Sequence, residues 1–248
     1  MLTLARRYDF GKLWQGGAKQ RESPVLEGVF GPDHYRFELV LNQVVRQPQH
    51  PYLYQVRGKC HYRKNVRPFT GWLTIRSINA LEPPYHENDG SFVAAIRPDS
   101  ISPDSFEARE ARIMAKVGIY QMRAEIQLAE QPAANSGELR GEALLNFYVA
   151  PPGRLGYVLA ALHPGDGIWR EGTVLIRGSR RNMTTQQIKQ FTVSDNVFVA
   201  AAYVYKDFGI GDRGYESEIN KKYAHLGWNE KWENDEWWAD APKPRLSL

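Results

Sequence analysis

The 248-residue chain carries 32 Lys and Arg against 28 Asp and Glu, for a net charge of +4, with 42% hydrophobic residues and one cysteine. That length suits one large β domain or two small ones, and the balance of apolar and charged residues is that of a folded protein rather than a disordered one. A single Cys excludes an internal disulfide and any multi-cysteine metal site.

No apolar run reaches the roughly 18 residues that a membrane-spanning helix needs. The first twenty residues lack the apolar stretch of a secretory signal, so a cytoplasmic protein is expected. Charge is uneven along the chain. Segment 207–240 holds nine carboxylates and four cations, which leaves the remainder at +9. The simplest reading is an acidic C-terminal segment against a basic body, and the alternative is a basic body that binds polyanions.

Residues 1–23 read as an N-terminal extension, 24–205 as one β-barrel domain and 206–248 as an acidic, Trp-rich segment packed on it. In 35–41 (YRFELVL) apolar and polar residues alternate, placing Tyr35, Phe37, Leu39 and Leu41 on one face of a strand. Segment 52–62 (YLYQVRGKCHY) puts Tyr52, Tyr54, Val56, Gly58, Cys60 and Tyr62 on one face, opposite Arg57, Lys59 and His61. The linker 63–68 is polar and ends in Pro68, and Phe69, Gly71, Leu73 and Ile75 then share a face, so the two strands form an antiparallel pair.

Residues 79–110 interrupt the pattern with Pro83, Pro84, Pro98 and Pro103, which predicts a long loop. Strands resume at Ile113. Val117 and Ile119 hold one phase and Met122, Ala124, Ile126 and Leu128 the other, so a bulge or a bend is expected near 118–121. Leu139, Gly141, Ala143, Leu145 and Phe147 alternate again, and 156–162, 168–177, 191–193 and 197–205 complete nine or ten candidate strands. Gly residues inside strands mark bends where a sheet curls closed. Segment 217–227 reads as a short helix capped by Ser217, with Ile219, Tyr223 and Leu226 on one face and Gly227 as its stop. Four of the seven tryptophans follow closely, at Trp228, Trp232, Trp237 and Trp238.

Known catalytic signatures are absent: no nucleophile elbow, no zinc-binding HExxH and no phosphate loop. Cys60 is in phase with Tyr54 and Val56 and reads as a core thiol. The basic residues Arg57, Lys59 and His61 lie on the face opposite the tyrosines, which disfavours nucleic-acid binding, because a base-stacking platform needs both on one face.

Many short antiparallel strands, inward aromatics and strand glycines over 25–205 resemble the calycin or lipocalin-like β-barrels. The likeness is one of architecture. The Gly-x-Trp of lipocalins belongs near the N-terminus, whereas Gly167-Ile168-Trp169 comes late. The resemblance implies a central pocket for a small, largely apolar ligand. The build is also similar to uncharacterised bacterial proteins, which implies no activity.

The expected fold is therefore an all-β antiparallel barrel of eight to ten strands. The expected function is binding of a small apolar molecule in the lumen, with Tyr35, Phe37, Tyr54, Tyr62, Leu73, Phe147 and Tyr203 as wall residues. No metal or cofactor is implied. Two alternatives remain open. The Trp-rich segment is a protein or homo-oligomer contact, or the 82–110 loop carries His86, Glu87 and Asp89 as acid–base groups.

Overall fold

The computed structural model describes residues 3–16, 23–81, 117–162, 171–210, 217–218, 220–230 and 236–239. Eleven strands occupy the barrel region: β1 (Leu26–Phe30), β2 (Tyr35–Gln47), β3 (His50–Tyr62), β4 (Asn65–Ala80), β5 (Gly118–Glu130), β6 (Gly137–Ala150), β7 (Arg154–Tyr157), β8 (Ala160–Ala161), β9 (Glu171–Gly172), β10 (Val174–Asn182) and β11 (Ile188–Ser194). The sheet runs β10-β11-β1-β2-β3-β4-β5-β6-β7, and β10 also pairs with β6. That pairing closes a ring of eight antiparallel strands, so the all-β, barrel-like class read from the alternation is what the chain forms. Closure leaves the long strands of the ring without an unpaired edge.

The alternation sorts the side chains as period 2 requires. Phe37, Leu39 and Leu41 of β2, Tyr54, Val56 and Cys60 of β3, Phe69, Leu73 and Ile75 of β4, and Leu139, Ala143, Leu145 and Phe147 of β6 form one buried interior. Two glycines make the closure possible. Gly141 of β6 lies opposite Gly178 of β10, and a Cβ on Gly178 would stand 2.1 Å from the Arg140 carbonyl oxygen. Only glycine tolerates this approach, so the pair sets how tightly β6 and β10 come together.

Several expectations are corrected. The β3–β4 connection is a two-residue turn at Arg63-Lys64, with Tyr62 paired to Asn65, rather than the whole of 63–68. The phase switch near 118–121 carries no bulge, because β5 pairs with β6 in unbroken register there. Ile119 is instead buried on the outer face with Tyr148, Ala150 and Val158, so both faces of that stretch are apolar. The register shifts lie between Val40 and Gln43, Arg46 and Gln47, and Ile75 and Ser77. Of the long loop, residues 82–116 lie outside the described residues, and with them His86, Glu87 and Asp89.

Segment 197–205 is not a strand. It forms two helical turns, α3 (Val197–Ala200) and α4 (Ala202–Tyr205), started by Asn196, whose side chain accepts from the Phe198 N–H. A cap of this kind satisfies an otherwise orphaned donor, which local alternation does not reveal. The later helix, α5 (Lys221–Ala224), starts on Asn220 rather than Ser217, and Ser217–Glu218 is a short strand. Gly227 takes φ +91° at its end. α3, α4 and α5 cover the outside of β1 through a cluster of Ala201, Val204, Tyr223, Leu226 and the fully buried Trp228. The Trp228 indole N–H donates to the His34 carbonyl at 2.9 Å, as a buried Trp requires.

The N-terminal extension forms α1 (Thr3–Arg7) and α2 (Gly11–Trp14), and these plug one end of the ring. Phe10, Leu13 and Trp14 are buried. Phe10 meets Phe147 edge-on at 4.9 Å, the Phe10 N–H donates to Tyr54 Oη at 3.3 Å, and Tyr157 Oη donates to the Leu13 carbonyl. No helix among the described residues is long and apolar enough to cross a membrane.

Candidate functional site

Four connections gather at the opposite end: 31–34, 63–64, 131–136 and 183–187. Between their tips lies an open cavity of about 230 Å³. It falls short of the roughly 300–1,000 Å³ typical of drug-sized ligands, so any occupant is small.

The inward phase of each strand runs from the apolar interior into this mouth, and there it turns polar. Arg67 precedes Phe69 on β4, Glu130 follows Leu128 on β5, Arg180 follows Ile176 on β10, and Lys189 precedes Phe191 on β11. The floor is Phe30, Phe37, Cys60 and Tyr62. Phe30 packs on Tyr62 at 4.7 Å and on Phe37 at 5.5 Å, so three rings form one aromatic surface.

The most buried charge of the mouth is Glu130, whose side chain is 1% exposed. Arg180 donates Nε–H to Glu130 Oε1 at 2.6 Å and Nη2–H to Oε2 at 2.8 Å, and the Gly137 N–H donates to Oε2 at 2.8 Å. A buried carboxylate needs this many donors, because burial alone would drive it neutral. Arg180 also donates to the Asn135 carbonyl at 2.6 Å. Burial opposes its charge, yet the bonds and charge of Glu130 raise its pKa above the ordinary arginine value. Cys60 donates weakly to Glu130 Oε1 at 3.8 Å. Burial first, then the Glu130 charge, push its thiol pKa well up, which favours the neutral thiol.

The other cations are less committed. Arg67 Nε stands 4.0 Å from Glu130 Oε2, and its Nη2 donates to the Ala134 carbonyl at 3.1 Å. Arg63 lies over Tyr35 at 4.3 Å, and Lys189 Nζ is 5.8 Å from the Phe30 ring centre. Among the described residues, lining cations thus outnumber lining carboxylates four to one.

The seven expected wall residues separate into four groups. Phe37 and Tyr62 line the cavity. Tyr35 packs on Tyr62 at 5.5 Å just outside it. Tyr54, Leu73 and Phe147 are fully buried toward the plugged end, where Phe10 fills the space beside Tyr54 and Phe147. Tyr203 is 70% exposed on α4 and stacks on His34 outside the barrel, which removes it from the wall. Sequence reasoning missed Glu130, Arg180, Arg67 and Lys189. Their signal was a charged residue in the inward phase at a strand end.

Other polar clusters are internally satisfied. Asn146 donates to the Ala160 and Gly172 carbonyls and accepts from Gln121, which docks the β8–β9 pair. Lys59 on the outer face donates to the Trp238 and Ala239 carbonyls, and His61 lies 5.2 Å from Trp237, so part of the Trp-rich segment rests on the basic face of β3. Among the described residues no group of three or more His, Cys, Asp and Glu stands close enough to hold a metal ion.

Compared with known proteins, the chain matches no family model, no curated protein and no solved structure.

Proposed function

We propose that this protein is a non-enzymatic barrel that binds a small organic ligand in the mouth between its hairpin tips, in the manner of the calycin-like barrels it resembles. One observation carries the reading: an open cavity of about 230 Å³ bounded by inward-phase residues of β1, β2, β3, β4, β5, β10 and β11. Its aromatic floor supplies apolar contact, and amides such as Asn65, Asn135 and Asn182 supply orienting polar groups. The ligand expected from the alternation was small, largely apolar and seated in the lumen. The charged rim moves the proposed site outward and favours a ligand with one polar end.

Native mass spectrometry of gently purified protein tests this, beside the variant Asn65→Trp, whose indole would fill the mouth from an exposed position. The expected result is a discrete extra mass on the wild type, released by denaturation and missing from the variant. Identical spectra from the two proteins would overturn the reading.

A further inference from the structure

The charges that line the cavity do not balance internally, although the Asp33 charge on the 31–34 connection also reaches Tyr62. Glu130 is neutralised by Arg180, which spends its guanidinium on that carboxylate and on the Asn135 carbonyl. This pair is a structural anchor that fixes β5 to β10. It leaves Arg63, Arg67 and Lys189 around one small cavity, and among the described residues no second carboxylate lines it. No described carboxylate lies within the 4.0 Å of an ion pair from Arg63 or Lys189, and Arg67 only reaches that distance from the already paired Glu130.

Three cations facing one cavity repel one another, and the apolar walls beneath them focus the field into the opening. The cations come from different strands: Lys189 from β11, Arg67 from β4, and Arg63 from the turn that joins β3 to β4. Arg63 is held in place by its packing over Tyr35 and Tyr62, at 4.3 and 5.4 Å from the ring centres. Its planar group is thus positioned at low entropic cost on binding. The Phe30, Phe37 and Tyr62 rings lie inside the cationic rim. A ligand that satisfies both layers has an oxyanion at one end and a compact apolar or aromatic body at the other.

From this layering, and resting on the ligand-binding reading above, we infer that the mouth selects small organic anions, their carboxylate or phosphate held by Lys189, Arg67 and Arg63 and their apolar body seated on the Phe30–Phe37–Tyr62 floor. Anion selectivity comes from the rim alone, since the floor is neutral and accepts any apolar group of the right size.

Calorimetric titration with three compounds of one shape tests the inference: 4-phenylbutyrate, 4-phenylbutanol and 4-phenylbutylamine. The acid is expected to bind at least about tenfold more tightly than the alcohol, the scale of a hydrogen bond to a charged group, and the amine most weakly. Lys189→Gln should weaken the acid about tenfold and leave the alcohol within about twofold, while Lys189→Arg retains the acid. Raising the salt concentration should weaken the acid and not the alcohol. Equal binding of acid and alcohol would overturn the anion selectivity while leaving the ligand site standing. Failure of all three compounds to bind would overturn the site as well.

Discussion

Glu130 on β5 reaches past β6 to Arg180 on β10, joined by two parallel charge-assisted hydrogen bonds of 2.6 and 2.8 Å. The two residues are 50 positions apart in sequence, yet their bonds fasten strands on either side of β6 at the barrel mouth. Removing one partner strands the other in a buried place. Arg180→Leu is expected to cost about 3–5 kcal/mol, because it leaves a buried carboxylate with little compensation. The double variant Glu130→Leu with Arg180→Leu should be less destabilised than Arg180→Leu alone. Urea unfolding of the two single variants and the double gives this cycle directly.

The plug makes its own prediction. Phe10 is completely buried against Phe147 and beside Tyr54. Phe10→Ala is expected to lose about 3–5 kcal/mol from lost transfer energy and the cavity left behind. Thermal unfolding checks the loss. Retention of the ligand-bound mass by native mass spectrometry would separate the plugged end from the mouth.

Closure through Gly178 is equally exposed to test. A Cβ there stands 2.1 Å from the Arg140 carbonyl oxygen, so Gly178→Ala must push β10 away from β6. The expected cost is about 1–3 kcal/mol. Amide hydrogen exchange should show loss of protection concentrated in β6 and β10.

Alkaline pH probes the interior. Burial is the main reason that the Tyr54 phenol is pushed up from 10.0 to about 12. The folded pKa lies above the unfolded one, so the contribution to stability is intact below about pH 10 and is lost as the pH climbs through about 12. The urea midpoint of the wild type should fall across that window, by the equivalent of about 2 kcal/mol. Tyr54→Phe should be flatter across it, though less stable at neutral pH by about 1 kcal/mol for the lost hydrogen bond from Phe10.

The buried thiol yields a chemical test. Cys60 is 1% exposed and held neutral by burial and by Glu130. Iodoacetamide at pH 8 should leave the native protein unlabelled and modify it within minutes in strong denaturant. Native labelling would show that reagent reaches the Cys60 thiol in the folded protein and that its burial does not protect it.

Alternation was legible wherever one face of a strand is buried and the other is solvated. β2, β3, β4 and β6 were readable in this way, and so was the inward face through Tyr54, Val56, Cys60, Leu73 and Phe147. It failed where that condition fails. At Ile119 both faces are covered, and the sequence looked like a change of phase. At 197–205 an Asn196 cap starts helical turns whose short length gives periodicity no room to distinguish them from a strand. Tyr203 was assigned to the wall for the same reason.

The sequence by itself determined the all-β class, the buried side of the main strands and the burial of Cys60, because each depends on residues two positions apart along one strand. Tertiary structure alone decided the pairing of β10 with β6, the plug at one end and the cationic, aromatic mouth at the other. Those features join residues far apart in the chain, such as Phe10 with Phe147 and Glu130 with Arg180. A charge at a strand end looks the same from either direction in sequence. Only closure of the ring decides that Arg67, Lys189 and Arg63 converge on one cavity.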